Sequence, residues 1–182
     1  RQMCIRDSFS MSQLHPIPVS ELQQNVFTAI GKEWMLITAE TEKDGKPTAN
    51  TMTASWGGLG RLWNKDVAFA FIRPQRYTKE FVDNADTFSL CFFGGEKMQE
   101  LGYLGTVSGR DEDKIAKSGL TLTHIDGVPC FEEATTVLLC RKMYVQTLRE
   151  DCFTDRAVME SSYPQRDFHD LYVAEVMKVL VK

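Results

Sequence analysis

Along the chain, short apolar or β-branched runs are separated by polar segments and turn residues, a pattern that is typical of β-strands. Six short apolar or β-branched segments are predicted strands: residues 34–39, 48–55, 67–72, 87–93, 135–148 and 171–181. Asp44-Gly45 predicts a tight hairpin after the first of them, and Asp126-Gly127 marks a second turn. Because few helices separate these strands, the pattern predicts a mainly β chain: a β-barrel with peripheral helices.

Helical spacing occurs in shorter segments. In residues 20–31 apolar side chains recur along one face, with Ser20 as the predicted N-cap and Gln23 as its capping-box partner. Thr78 is predicted to cap a helix that ends near Asn84. The strand over 48–55 is expected to end in Gly57, Gly58 and Gly60. Three further helical segments are predicted, at 96–104, 111–118 and 151–162.

The composition is that of one globular domain, with 182 residues, 43% of them hydrophobic and 25% charged. The formal net charge of −4 disfavours a nucleic-acid-binding protein, and no apolar run reaches the roughly 20 residues that cross a bilayer. Five scattered cysteines predict no disulfide framework, and the histidine and cysteine spacing predicts no metal site. We expect a cytoplasmic protein, with a disordered tail over 1–12 and one domain over 13–182.

Two neighbouring polar segments carry the candidate chemistry. The first is rich in hydroxyl and small side chains and comprises Asn50, Thr51, Met52, Thr53, Ala54, Ser55 and Trp56. The second lies beside a predicted helix start and comprises Arg73, Arg76, Tyr77 and Thr78. Helix N-termini attract phosphates, because free N–H groups and the macrodipole point at the anion, and guanidinium groups add charged planar donors. Together the segments predict a site for a flat heterocycle with a phosphate tail, namely flavin mononucleotide (FMN).

Each of these features also has an ordinary structural explanation. Hydroxyl residues are common at strand edges, and Thr78 can simply cap a helix. A lone histidine such as His169 is more often a structural hydrogen-bonding group than a catalyst. The sequence contains no phosphate loop, no strand-linked G-x-G-x-x-G and no G-x-S-x-G. It therefore indicates neither a separate dinucleotide domain nor a serine hydrolase.

Several spaced motifs, in order, resemble the flavin reductase-like, FMN-binding split-barrel family, especially its flavoredoxin branch. They are Ser55-Trp56-Gly57, then Trp63 with Lys65 and Val67, then Arg73-Pro74-Gln75-Arg76-Tyr77-Thr78, then Ser108-Gly109-Arg110-Asp111 with Lys114, and last the run from Phe168 to Val173. The resemblance spans roughly residues 18–180. It implies an FMN-binding split barrel.

The resemblance also implies where a non-covalently bound FMN lies. Residues 50–55 would line the isoalloxazine and ribityl chain, and Arg76 and Thr78 would hold the phosphate. The segment that carries Arg110 and Lys114 would come over the flavin. Which of these two touches the flavin stays open, and so does whether His169 reaches it as a possible catalytic residue.

Three functions follow as alternatives. The first is flavin reductase-like oxidoreduction, in which the FMN accepts a hydride from NADH or NADPH and passes electrons on. The second is a flavoredoxin-type electron carrier that docks a redox partner protein. The third is a barrel that binds a ligand without redox chemistry.

A homodimer is also expected. Trp56, Trp63, Phe69 and Phe71 supply more aromatic surface than the interior of one barrel of this size comfortably holds, and strand edges must be covered. The family resemblance implies the same pairing, with the flavin near the subunit interface.

Overall fold

The computed structural model describes residues 13–182, so the predicted tail over 1–12 lies outside the described residues. The strands are β1 (His15–Ile17), β2 (Met35–Lys43), β3 (Lys46–Ala54), β4 (Gly57–Leu62), β5 (Lys65–Ile72), β6 (Thr87–Phe92), β7 (Leu122–Ile125), β8 (Val128–Phe131), β9 (Thr136–Thr147) and β10 (Asp170–Val181). The helices are α1 (Val26–Gly31), α2 (Thr78–Asn84), α3 (Met98–Thr106), α4 (Lys114–Ser118) and α5 (Arg156–Ser162). Single 3₁₀ turns occur at Val19–Glu21 and Glu150–Cys152.

The strands build one antiparallel sheet in the order β3-β2-β6-β9-β10-β5-β4, with β1 added along β10. β7 and β8 form a separate hairpin. The two long strands, β9 and β10, pair near the middle of the sheet and carry register shifts that bend it. Strands from both halves of the sheet contribute to one core, as the wall of a barrel does. The predicted mainly β barrel with peripheral helices is confirmed.

Two apolar clusters lie on opposite faces of the sheet. Alternate residues of one strand point to different clusters, because side chains in a strand have a period of two. Ile37 and Leu138 thus belong to the cluster inside the barrel, and their neighbours Leu36 and Leu139 belong to the second. The second cluster is covered by α3 and the β7–β8 hairpin. α3 is thereby fixed against the sheet.

The first predicted helix is wrong in its start. It begins at Val26, and its N-cap is Asn25, whose side-chain oxygen accepts from the backbone amides of Phe27 and Thr28 at 3.1 and 3.3 Å. Ser20 lies instead in the 3₁₀ turn, and Leu22 is extended after it. Asn25 satisfies two of the orphan amides at a helix start, and this explains why the helix begins there.

Two further predictions need correction. Gly57, Gly58 and Gly60 do not end a strand; they belong to β4, which pairs with β5 along its whole length. The ring of Phe69 lies over Gly58 and Gly60, on the surface where larger side chains would stand. Thr78 is not an N-cap; it is the first residue of α2, and its side chain makes no cap hydrogen bond.

The helix predicted at 96–104 occurs two residues later, those predicted at 111–118 and 151–162 begin only at Lys114 and Arg156, and both turn predictions agree with the structure. Asp44-Gly45 joins β2 to β3 with positive φ at both residues, as a two-residue hairpin requires. Asp126-Gly127 does the same between β7 and β8. Within residues 13–182, no helix combines the length and the apolar character that a membrane span needs.

Candidate functional site

The end of β3 forms one wall of a cavity of about 210 Å³. Met52 and Ala54 pack into the barrel core, whereas Thr53 faces α3 and its hydroxyl donates to the carbonyl of Leu101 at 2.5 Å. The chain then turns through Ser55 to β4. The residues lining this cavity are Met52, Thr53, Ala54, Ser55, Trp56, Phe71, Arg73, Arg76 and His169.

Two further openings share walls with this cavity. Thr53 and Ser55 also line an opening of about 270 Å³ beside α3. Arg76 also lines a small cavity of about 80 Å³ at the C-terminal end of α3. Since the three adjoin, they form one groove, whose size falls in the roughly 300–1,000 Å³ range of small-molecule sites. We call the 210 Å³ part the ring cavity and the 80 Å³ part the anion cavity.

The anion cavity carries two cationic side chains without counter-charges. Arg76 donates to the carbonyl of Gly105 at 3.1 Å, and Lys114 donates to the carbonyls of Leu104 and Val107 at 2.9 and 3.0 Å. Lys114 is only 4% exposed. Within residues 13–182, no carboxylate forms an ion pair with either cation.

These two cations are held at an electrostatic cost. Burial, with a smaller contribution from the charge of Arg76, lowers the pKa of Lys114 to about 8. Burial also lowers the pKa of Arg76. A bound anion relieves both effects, because an opposite charge within a few ångströms favours the charged form. Tyr77, Thr78, Thr106 and Ser108, which carry hydroxyl groups, also line the cavity, and the Thr106 hydroxyl already donates to the carbonyl of Gly102 at 2.8 Å. The charge of the cavity and its other donors fit a phosphate.

Two residues of the β3 segment face away from the groove. The hydroxyl of Thr51 lies 2.8 Å from that of Thr38 and donates to the carbonyl of Ile37 at 3.1 Å. Asn50 is buried and donates from Nδ2 to Oγ1 of Thr78 at 2.9 Å. Asn50 lines neither the ring cavity nor the anion cavity. The side chains of Thr51 and Asn50 are therefore not placed to line a flavin in the ring cavity.

Asn50 instead lines a wider cleft of about 680 Å³ on the other side of Tyr77 and Lys114, which border both spaces. This cleft is the largest of these openings, but Glu112 and Asp113 line it and disfavour an anion there. Its size alone does not make it the flavin site.

The other two predicted arginines are already paired. Arg73 forms an ion pair with Asp167 at 2.8 Å, and its guanidinium also lies over the ring of Tyr163 at 5.0 Å. Arg110 forms an ion pair with Glu80 at 2.9 Å and lies over the ring of Tyr77 at 4.6 Å. Arg73 still borders the ring cavity, whereas Arg110 stands outside on the far side of Tyr77.

His169 enters the ring cavity as a neutral group. Burial lowers its pKa to about 4, and the charge of Arg73 contributes to the same shift. Its Nδ1 lies 2.6 Å from the hydroxyl of Tyr163, and its ring lies 5.1 Å from that of Trp56. Because its pKa is so low, His169 does not supply a proton near pH 7. It serves there as a hydrogen-bonding group.

The sequence matches the family model of the flavin reductase like domain over residues 27–182, which is most of the chain. The chain belongs to this family. The resemblance predicted from the spaced motifs is thus confirmed. No curated protein matches the chain in sequence.

Solved structures show the same flavin reductase-like fold. Flavoredoxin from Methanosarcina acetivorans is 23% identical, with a TM-score of 0.60 over 82% of this chain and 68% of its own. An FMN-binding protein from Thermus thermophilus, with bound p-hydroxybenzaldehyde, is 23% identical, with a TM-score of 0.59 over 100% of this chain and 80% of its own. The styrene monooxygenase flavin reductase from Pseudomonas putida S12 is 14% identical, with a TM-score of 0.59 over 81% and 77%.

The last turn of α3 is the part of this flavin reductase-like groove that the sequence prediction missed. Gly105, Thr106 and Val107 line the anion cavity, yet none of them belongs to a predicted motif, whereas Ser108 begins the segment that was predicted to come over the flavin. Glycines at 102 and 105 share one face of α3, and a methyl group on Gly105 would lie 3.1 Å from Cβ of Thr53. Glycine inside a helix often marks a close approach, and that signal was available.

No group of three or more metal-binding side chains comes together in the described part of this flavin reductase-like chain. The site residues that the structure brings together around the groove are Met52, Thr53, Ala54, Ser55, Trp56, Arg73, Arg76, Tyr77, Thr78, Lys114 and His169.

Proposed function

We propose that this flavin reductase-like chain binds FMN non-covalently in the groove. The isoalloxazine ring would occupy the ring cavity, and the phosphate would lie in the anion cavity between Arg76 and Lys114. The observation that carries the proposal is this pair of cations, buried Lys114 and half-buried Arg76, which have no carboxylate partner in residues 13–182 and therefore gain from a dianion. When bound, FMN supplies two-electron redox chemistry, and the chain supplies anchoring and hydrogen bonds.

Two of the neighbouring structures support the same ligand, whereas another is an NADH:FAD oxidoreductase from Streptomyces globisporus. One of the two is an FMN-binding protein by its description, and the other is an FMN-binding domain of a flavin reductase-like enzyme from Shewanella baltica. FMN suits the groove better than FAD, because the anion cavity has room for one phosphate and is closed on the α3 side by the carbonyls that Lys114 binds.

The chromophore of the purified protein tests this proposal. We expect a yellow protein whose denaturation releases FMN, identified by chromatography, and flavin-free protein that binds FMN more tightly than riboflavin, which lacks the phosphate. Release of FAD, or equal affinity for FMN and riboflavin, would contradict the assignment of the anion cavity. A colourless protein that binds no added flavin would contradict both the reductase and the electron carrier. The remaining alternative would then be a barrel that binds a ligand without redox chemistry.

For the activity, we propose oxidoreduction in which NADH or NADPH delivers a hydride to the bound FMN. Trp56 and Phe71 give the ring cavity flat apolar walls against which two rings can be held within transfer distance. His169, neutral and anchored to Tyr163, adds a hydrogen-bonding group beside them. A relative described as a flavin reductase supports this function.

One observation favours the second candidate, an electron carrier that docks a redox partner. Arg73 and Arg110 are neutralised by Asp167 and Glu80, so neither offers a free charge to the phosphates of a nicotinamide donor. Relatives described as flavoredoxins fit this function.

Mixing the FMN-loaded protein with NADH or NADPH without air distinguishes the reductase from the electron carrier. Bleaching within seconds to minutes supports the reductase, and bleaching only by a chemical reductant supports the carrier.

We also propose a homodimer that pairs through the outer face of β5, β9 and β10. Phe69 and Phe71 of β5 stand opposite Val173 and Leu171 of β10, and all four belong to neither core cluster. Trp63 and Tyr144, which are 54% and 42% exposed, meet edge to face beside them at 6.0 Å. Since Phe71 also lines the ring cavity, a second copy on this face would lie near the flavin.

Light scattering tests the dimer. We expect a mass of twice 20.7 kDa at micromolar concentration, and a shift to monomer when Trp63 on this face becomes lysine. Val158→Lys is the matched control, because Val158 is also exposed (50%) but lies on α5. A wild-type monomer would contradict the proposed pairing.

A further inference from the structure

Three segments of the chain meet at Asn50 behind the anion cavity. Asn50 lies on β3 and is 4% exposed. Its amide touches the first residue of α2, Thr78, and the loop between α3 and α4 at Gly109. Both of those segments line the anion cavity, whereas Asn50 does not. Any influence of Asn50 on a bound anion is therefore exerted through its neighbours.

The contact with Thr78 orients a hydroxyl group. Because Nδ2 of Asn50 donates to Oγ1 of Thr78 at 2.9 Å, the hydroxyl hydrogen of Thr78 does not point at the amide. Thr78 is itself 1% exposed and lines the anion cavity. Its hydroxyl is left to donate, which is what a phosphate oxygen requires.

The contact with Gly109 holds the loop close. A methyl group on Gly109 would collide with Oδ1 of Asn50 and lie 3.1 Å from Cδ2 of Tyr77. The φ of Gly109 is outside the left-handed region, so its backbone does not itself demand glycine. Close packing against Asn50 is thus the reason for glycine here. The same loop carries Val107, whose carbonyl accepts from Lys114, and Ser108, which lines the cavity.

We propose that Asn50 is a positioning residue for the phosphate end of the flavin site: it fixes the Thr78 hydroxyl and the loop over 107–109 around the anion cavity. This inference rests on the proposed FMN binding. It gives Asn50 a different role from the flavin contact predicted from the sequence. It also divides the β3 segment, since Asn50 serves the phosphate and residues 52–55 serve the ring.

Comparison of FMN with riboflavin tests the role, because only FMN carries the phosphate. In Asn50→Ala, we expect the Kd for FMN to rise about tenfold, as for loss of one hydrogen bond at a charged group. The Kd for riboflavin should stay within about twofold, since the ring cavity is untouched. A purely structural loss would weaken both flavins in the same proportion.

A second route does not depend on Asn50→Ala alone. Gly109→Ala should also raise the Kd for FMN selectively, by pushing the loop away from the cavity. In the double variant the amide is gone, so the methyl group loses its closest collision and keeps only the contact with Tyr77, and the two effects should fall short of additive. Gly31→Ala, at the end of α1, is the matched control, because a methyl group there meets no atom within 4 Å.

The outcomes are distinct. Selective loss of FMN affinity in both single variants, with a non-additive double variant, supports the positioning role. A wild-type protein that prefers FMN, combined with an Asn50→Ala variant that keeps full FMN affinity or loses both flavins equally, would overturn this inference alone. A wild-type protein that binds no flavin, or binds both flavins equally, would overturn the proposed function as well.

Discussion

The cations around the groove fall into two pairs that differ in what surrounds them. Arg73 and Arg110, at the rim, are each held by a carboxylate, at 2.8 and 2.9 Å. Arg76 and Lys114, in the anion cavity, contact only carbonyl oxygens of the last turn of α3 and the loop that follows. A carbonyl accepts a hydrogen bond without cancelling the charge. The inner pair is therefore available to an anion, and the rim pair is already compensated.

Removal of the inner arginine should show the largest effect. Arg76→Ala deletes a charged donor from a desolvated cavity, so FMN binding should weaken by about 1.5–3 kcal/mol, which is roughly 10- to 150-fold in Kd. Titration of flavin-free protein, followed by flavin fluorescence, measures this loss. Riboflavin serves as the control ligand, and its affinity should barely change. Unchanged FMN affinity would show that Arg76 does not bind the phosphate. The inner pair would then not differ from the rim pair in its availability to an anion.

The second prediction uses the pKa of Lys114. This pKa is about 8 in the flavin-free protein, against an ordinary 10.5. Because the phosphate of FMN is fully ionised above about pH 7, a rise in pH changes mainly Lys114. FMN affinity should fall above pH 8, by at most about tenfold per pH unit, since one proton is taken up on binding. Lys114→Arg keeps its charge and should abolish this slope, and a slope that survives would contradict the assignment.

As the pH rises above 8, the free energy of unfolding of the flavin-free protein should increase, whereas its affinity for FMN should fall. Between pH 8 and 10.5 the unfolded chain holds a proton on Lys114 that the folded chain has released. The free energy of unfolding therefore gains a contribution that rises with pH across this window. Urea titrations at several pH values, with Lys114→Arg as reference, measure that contribution.

The sequence predicted the strands and turns that surround the site better than it predicted which charged side chains there form ion pairs. Short apolar runs and Asp-Gly turns are local signals, so the six predicted strands and both predicted turns occur in the structure, whereas β1, β4, β7 and β8 were not predicted. Arg73 and Arg76 lie three positions apart in one motif, and only the family resemblance, not the residue pattern, favoured Arg76 for the phosphate. Their difference comes from Asp167, far along the chain, and from the carbonyl of Gly105. Such long-range partners are fixed only when the chain folds.

The same reason explains why the side chain of Asn50 lies apart from the groove. Asn50 precedes a row of residues that do line the groove, and pattern alone assigns it to the same role. Its side chain turns to Thr78 because α2 and the loop at Gly109 pack behind β3. Helix starts show a related limit: Ser20 matched a capping pattern, yet Asn25 offers an oxygen to two amides and prevails.

The third prediction concerns Arg73, one of the rim pair. Arg73→Ala should lower the free energy of unfolding by about 1–2 kcal/mol, because it removes the ion pair with Asp167, which keeps its hydrogen bond from Gln75, and removes packing against Tyr163. For a chain of this size that is a fall in Tm of roughly 2–8 °C. The ratio of FMN to riboflavin affinity should not change. A selective loss of FMN affinity would place Arg73 at the phosphate instead.

The smallest effect should come from Arg110. Its pair with Glu80 is exposed on both sides, at 45% each, and exposed pairs contribute about 0–1 kcal/mol. Arg110→Ala should therefore change stability by less than about 1 kcal/mol and FMN affinity by less than about twofold.

Glu80→Gln makes this test sharper, because it frees the Arg110 charge while keeping the shape of the side chain at position 80. If Arg110 is inert only because Glu80 neutralises it, Glu80→Gln should lower the KM for NADPH, with its extra phosphate, more than for NADH. If neither KM moves, the position of Arg110 on the far side of Tyr77, rather than its ion pair, is what separates it from the site.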